Sequence, residues 1–262
     1  MTIKKQALAC CIGLSLFSST ALSADFGVRL GMERTKHECK FSNNSDFTTI
    51  ANEIADGLDP GATVGSAIIT NTNKTSGCSE KDKPTIGIFM KNKIADKTFI
   101  ETELAYVQKR DFDSVYDVTL STRNVLDGNG DPVDDADEVL DNNTQKLKVK
   151  SFPRLLLSIG HEFDTGNNFT ISPVFGIGYA QIKASGDQNS GDFIMREKTN
   201  NNFIWNVGAS FSIPKSNWSV DYRYIDYGKV ETQATQQPFA DAGSEKLHGK
   251  MTSHTVSLSY IF

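Results

Sequence analysis

The chain runs out in Thr255-Val256-Ser257-Leu258-Ser259-Tyr260-Ile261-Phe262. Successive side chains of a strand point to opposite faces, so Val256, Leu258, Tyr260 and Phe262 make one apolar face and Thr255, Ser257 and Ser259 a polar one. A soluble sheet buries such a face against a second layer. Here the alternation recurs upstream, and its apolar rows keep finishing in Phe, Tyr or Trp, as a lipid-facing wall edged by interfacial aromatics would.

Working back from that strand, seven more carry the pattern. Phe26, Val28, Leu30 and Met32 alternate with Gly27, Arg29, Gly31 and Glu33, long enough for the ~9 to 11 residues of a tilted spanning strand. Ile86, Ile88 and Met90 form the second row and Ile100, Thr102, Leu104 and Tyr106 the third, with a tight turn over 92–97. A fourth strand over about 146–163 sets Leu147, Val149, Leu155, Leu157 and Ile159 on one side and Lys148, Lys150, Arg154 and Ser158 on the other. Phe169, Ile171, Pro173, Phe175, Ile177 and Tyr179 give the fifth, Phe203, Trp205, Val207, Phe211 and Ile213 the sixth, and Trp218, Val220, Tyr222 and Tyr224 the seventh. Turn-forming residues at Asp164-Thr165-Gly166-Asn167-Asn168 and over 214–217 make short links. Four long segments, about 35–83, 111–145, 183–201 and 229–249, make the others. The expected fold class is all-β, an eight-stranded antiparallel up-and-down transmembrane β-barrel with long extracellular loops. Hydrocarbon offers no water to an unpaired sheet edge, so strand one must pair with strand eight.

The start of the 262-residue chain reads as an address. Lys4 and Lys5, the apolar stretch 7–17 and Ala21-Leu22-Ser23-Ala24 match a basic n-region, an h-region and a cleavage site, giving a signal peptide over 1–24 and a barrel domain over 25–262. Removing the two lysines takes the formal net charge from -5 to -7, and no concentrated basic face is visible, so nucleic acid is excluded as a partner. Mean hydropathy is negative, which a barrel tolerates because half of each strand faces a polar lumen. Beyond the signal the chain keeps Cys39 and Cys78, an even count in an oxidising compartment, for which one disulfide is the default. Closing about 40 residues contributes roughly 4 kcal/mol in the chain-entropy model.

Ser172-Pro173-Val174-Phe175-Gly176-Ile177-Gly178-Tyr179-Ala180, Trp205-Asn206-Val207-Gly208-Ala209 and Asp221-Tyr222-Arg223-Tyr224-Ile225-Asp226-Tyr227-Gly228, with Ser253-His254-Thr255-Val256-Ser257-Leu258 and Phe262, carry a family likeness in their order and spacing. The chain resembles the opacity-protein and outer-membrane-protein-A-like eight-stranded barrels. The resemblance implies an integral bacterial outer-membrane surface protein, exported through the periplasm and surrounded by outer-membrane lipids and lipopolysaccharide. It also implies insertion by the barrel assembly machinery, which reads the final strand through Val256, Leu258, Tyr260 and Phe262. Relatives act as adhesins, surface antigens or small porins, so the loops are expected to meet a host or environmental ligand. A narrow porin or small hydrophobic-solute channel is the alternative.

Inward parity collects Arg29, Glu33, Glu101, Glu103, Arg154, Asp221 and Arg223. Buried charges must be paired, so these are expected to form a lumen charge network, and eight strands leave little free section around it. Asp127, Asn129, Asp131, Asp135 and Glu138 fall at calcium-loop positions, but Pro132 stands where the sharp turn wants glycine, and an acidic solvated loop is the expectation. A lipid A modifying hydrolase needs His and Ser together on the outer-leaflet face. His254 points outward, yet its same-face neighbour is Val256, and Ser253 and Ser257 point inward. His161 flanks a periplasmic turn, and His37 and His248 are placed in solvated loops. No catalytic residue, cofactor or metal is expected. In the first long segment Ser45 as N-cap, Phe47, Ile50, Ala51 and Ile54 on one face and Gly57 as stop outline a short helix.

Overall fold

The computed structural model describes residues 24–41, 45–46, 51–52, 55–56, 59–73, 78, 81–166, 169–188, 193–213, 215–233 and 246–262. Apart from Ala24, the signal peptide expected over 1–24 lies outside the described residues. The long strands are β1 (Ala24–His37), β2 (Thr63–Asn73), β3 (Lys81–Lys93), β4 (Thr98–Val107), β5 (Arg110–Leu126), β6 (Ala136–Val149), β7 (Phe152–His161), β8 (Thr170–Gln188), β9 (Phe193–Ser212), β10 (Trp218–Glu231) and β11 (Leu247–Ile261).

Eight of them close into a cylinder. In the order β7-β4-β3-β1-β11-β10-β9-β8 they pair antiparallel, and β8 returns to β7 from Gly160↔Val174 to Arg154↔Ala180. The first and last strands pair from Gly27↔Ile261 to His37↔Met251. Short turns gather at the end that holds Ala24 and Phe262: Thr98 N–H donates to Ala95 O (3.3 Å), Ser216 N–H to Ile213 O (2.9 Å), and Thr165 N–H to Phe169 O (3.0 Å) beside Gly166 at φ 76°.

Around the wall, Phe26, Leu30, Ile86, Ile88, Leu155, Leu157, Phe175, Ile177, Val207, Val256 and Leu258 are exposed, while Arg29, Glu33, Glu101, Glu103, Arg154, Asp221 and Arg223 are buried. A soluble protein reverses that arrangement. Covering such a band with hydrocarbon removes it from water at roughly 25 cal/mol per Å², and a closed sheet with this surface is the architecture of bacterial outer-membrane proteins.

At the opposite end the long segments are largely strand. β5 carries β4 onward past Gln108-Lys109, and β6 leads into β7 past Lys150-Ser151. These two extensions pair with each other, β6 also pairs with the upper end of β8 from Ala184↔Val149 to Gln188↔Gln145, and β2 pairs with β5. Segment 111–145, read from sequence as a loop, is therefore a β-hairpin continuous with the barrel wall. Segment 183–201 likewise contributes the described tops of β8 and β9. Above the membrane no lipid selects an apolar outer row, so these strands lack the signal that marks the spanning ones.

The junctions at 108–109 and 150–151 also shift the side-chain phase. Inward residues run Glu101, Glu103, Ala105, Val107 on β4 and then Arg110, Phe112, Ser114 on β5; on the partner they run Gln145, Leu147, Val149 and then Phe152, Arg154, Leu156. Leu147 and Val149, placed on the same side as Leu155 by unbroken alternation, are fully buried, and Lys148 and Lys150 are exposed. An extra residue in a strand turns every later side chain to the other face. Here the shift keeps Leu147 and Val149 out of water once the chain has left the bilayer.

In the first long segment, Ser45 pairs with Ile69 as a strand residue, so it is not the helix N-cap that its position suggested. Ala51, Asn52, Ala55 and Asp56 are helical; Phe47, Ile50, Ile54 and Gly57 lie outside the described residues. Among the described residues, no helix is long and apolar enough to cross a membrane.

Candidate functional site

The interior is layered. Near the short turns, Phe89 lies over Gly27 and Phe99 over Gly160: a Cβ on either glycine would stand 2.3 Å from the ring. Glycine is required there because aromatic rings occupy the space a side chain would need. Lys91 Nζ sits 3.8 Å from the centre of the Phe99 ring.

Above that layer the charges meet. Arg29 is a hub: Nη1 and Nη2 each lie 3.1 Å from a Glu101 oxygen, Nη1 also pairs with Glu103, and Nε donates to Ser259 Oγ (2.9 Å) and Asp221 Oδ2 (3.3 Å). Arg154 is the second hub, donating to Glu33 Oε2 (2.6 Å), Glu103 Oε1 (3.2 Å) and Tyr227 Oη (2.8 Å). Arg223 Nη2 reaches Glu101 Oε1 at 3.0 Å. The structure thus brings together all seven residues expected to form the lumen charge network, while Lys148 and Lys150, read on the same side as Arg154, face outward.

It adds two more. Arg110 Nη1 lies 3.1 Å from Glu33 Oε1, and Tyr227 donates to the same oxygen at 3.0 Å. Tyr227 shares inward parity with Asp221 and Arg223 but, being neutral, stands outside any count of charges. Arg110 has the wrong parity for an unbroken strand, and only the junction at 108–109 turns it inward. Charge balance was its one sequence signal: Arg29, Arg154 and Arg223 leave Glu33, Glu101, Glu103 and Asp221 one cation short, and Arg110 supplies it. Because burial of an uncompensated charge costs several kcal/mol, four cations against four carboxylates is the balance such an interior requires.

Over the charges lies an apolar layer that includes Phe112, Leu147, Ile182, Met195, Leu247 and Met251. The Cys39–Cys78 disulfide joins it, with Cα atoms 5.4 Å apart. His37, placed in a solvated loop by sequence, is instead fully buried at the end of β1. Its Nδ1 accepts the Cys39 N–H (2.9 Å), so Nε2 carries the proton toward Val230 O (3.1 Å). Burial pulls the His37 pKa down to about 4. His248, also expected in a loop, belongs to β11 and opposes Lys40.

Other candidates occupy the outside. His254 is exposed and shares a 2.7 Å hydrogen bond with Tyr222, while Ser253 and Ser257 are buried inside the barrel. His161 meets Thr98 Oγ1 at 2.9 Å beside the turn. In the acidic tip, Asp127 Oδ1 accepts the N–H groups of Asn129 and Asp131 at 2.9 Å each, Asp135 accepts from Asn124 N–H at 2.7 Å, and Asp137 pairs with Arg123 at 2.8 Å. These carboxylates brace a hairpin end. Next to it a cavity of about 450 Å³ opens between Asn52, Asp56, Thr63, Val64, Asn124 and Leu126.

A closed antiparallel sheet, apolar outside and charged within, is a transmembrane β-barrel. No family model matches the chain, and no curated protein matches it. Among solved structures it is similar to the outer membrane protein OprG from Pseudomonas aeruginosa, at 14% identity over 92% of this chain and 97% of that one with a TM-score of 0.44. It is also similar to Ail, the attachment invasion locus protein of Yersinia pestis, at 10% identity over 92% and 100% with a TM-score of 0.38. Neisserial surface protein A gives 13% identity over 92% and 99% with a TM-score of 0.37.

Proposed function

We propose that the protein is a non-enzymatic surface barrel whose extracellular β-structure, with the long connections around it, meets ligands of the host or the surroundings. One observation carries the reading. The strand pairs β4–β5 with β6–β7 and β8 with β9 run past the apolar band as a continuous sheet, above an interior filled first by paired charges and then by apolar side chains. Such a scaffold fixes its connections in place, and connections on a rigid scaffold are where binding resides. The recess between Asn52, Asp56 and Asn124 at the tip adds a concave surface of a size that small ligands use. On this reading Arg29, Glu33, Glu101, Glu103, Arg154, Asp221 and Arg223 plug the lumen, and Val256, Leu258, Tyr260 and Phe262 serve assembly.

Two measurements test it. In planar bilayers the refolded barrel is expected to stay electrically silent; steady single-channel steps would favour the narrow porin instead. Cells displaying the barrel are expected to adhere to cultured host epithelium, and a variant lacking 116–143 to lose adherence while keeping its heat-dependent gel mobility. Equal adherence by both forms would remove the extracellular hairpin from the function.

A further inference from the structure

The phase shift that turns Arg110 inward turns Lys109 and Lys150 outward, level with Lys183 on the unbroken outer row of β8. Below the junctions the outer rows end in Tyr106, opposite Pro153, and in Tyr179, opposite Leu155. Tyrosine marks the boundary between hydrocarbon and headgroup. Immediately above stand Lys109, Lys150 and Lys183, all exposed, on three adjacent strand lines: Lys109 N–H donates to Ser151 Oγ (3.1 Å) and Lys150 N–H to Lys183 O (2.9 Å). Neighbouring strands lie about 4.8 Å apart, so these three residues stand within one small patch.

Their acids are too few. Glu197 is shared, 2.5 Å from Lys150 Nζ and 3.9 Å from Lys183 Nζ, and Lys109 has no acidic partner among the described residues. Even with Asp111 two residues beyond Lys109, the three cations outnumber the carboxylates beside them. Lys148, one step higher, is held by Asp187 near Asp111 and does not add to it. Elsewhere on the outer surface Lys198, Lys229 and Lys246 all gather on one carboxylate, Glu231, whereas other cations are paired one to one. Arg34 is bound through two 2.8 Å hydrogen bonds to its own Asp82, and Lys250 lies 2.7 Å from its own Asp226.

We propose that Lys109, Lys150 and Lys183 form a binding site for the phosphate of an outer-leaflet lipid, with the acyl chains of that lipid running down over Tyr106, Leu155 and Tyr179. The patch sits at the depth where lipid phosphates lie, directly above residues already committed to hydrocarbon, so a ligand anchored in the membrane reaches both at once. Lysine ammonium groups on flexible stems suit a phosphate that presents no fixed orientation.

The test uses the refolded full barrel in detergent, titrated with lipid A and followed by native mass spectrometry. Replacing Lys109, Lys150 and Lys183 by Gln is expected to weaken lipid A retention about tenfold, and lipid A stripped of its phosphates to bind the unaltered barrel as weakly. Equal retention in either comparison overturns the proposal. Glu197→Gln keeps every lysine and frees two, so it should tighten retention about twofold to threefold; unchanged or weaker binding counts against the site even if the triple variant fails to fold. Lys250→Gln on the opposite wall should leave retention unchanged, and a loss matching the triple variant overturns the assignment. Inorganic phosphate at equal concentration should not displace the lipid; displacement would mean that the lysines hold a free anion.

Discussion

Arg154 and Leu147 both point into the barrel, seven positions apart on two strands that continue one another, yet they belong to opposite chemistries. Around Arg154 the interior is charged and the exterior apolar; around Leu147 the interior is apolar and the exterior carries Lys148, Lys150 and Lys183. One cylinder is inside-out where lipid surrounds it and arranged like a soluble protein where water does. The solvent outside the wall decides which face must be greasy. The junctions at 108–109 and 150–151 are where the strands change over.

The largest expected effect breaks the lower half of this comparison. Arg154→Leu leaves Glu33 and Glu103 short of a cation, and urea unfolding in lipid vesicles should register a loss of about 3–5 kcal/mol. A change within experimental error would mean that the charges are hydrated and exchangeable, which favours a channel.

Breaking the upper half should be somewhat milder and local. Replacing Cys39 and Cys78 by Ser removes a clamp worth roughly 2–4 kcal/mol. Amide exchange should quicken at the top of β1 and in the neighbouring upper ends of β10 and β11, while the amides opposite Arg29 stay protected. Uniform loss of protection down to Gly27 would show that the two halves unfold together.

Acid probes the same apolar layer more gently. His37 lies above the apolar band, and burial holds its pKa near 4 against an ordinary value of 6.5. The opened form therefore takes up the proton first, so the upper layer is fully stable above about pH 6.5 and loses stability as pH falls toward 4. Protonation also removes the acceptor used by the Cys39 N–H. His37→Gln should flatten this pH dependence of exchange at β1, and an unchanged profile would assign it to other groups. Smallest of all, Lys148→Ala on the watered exterior should alter stability by no more than about 0.5 kcal/mol.

Legibility followed the lipid. Rows such as Phe175-Ile177-Tyr179 and Val256-Leu258 announce a spanning strand because hydrocarbon selects every second residue, and the buried charges between them could be named by parity alone. Above the bilayer that selection ends: Thr119 and Ser121 on β5 read as loop although they pair with β2 and β6. Tyr227 was readable by parity and Arg110 only by counting charge. His37 was misplaced because nothing marked the strand as continuing past Met32.

The sequence by itself therefore determined the closed eight-stranded barrel, which faces lie against lipid, Cys39 and Cys78 as a disulfide pair and the acids that need partners. Each of these follows from alternation or from a count. Only the tertiary structure decided where the alternation slips, which carries Arg110 into the charged interior, Leu147 and Val149 into the apolar layer and Lys109, Lys148 and Lys150 to the outside. An extra residue in a strand alters no local propensity, and its consequence appears only when neighbouring strands have to share a core.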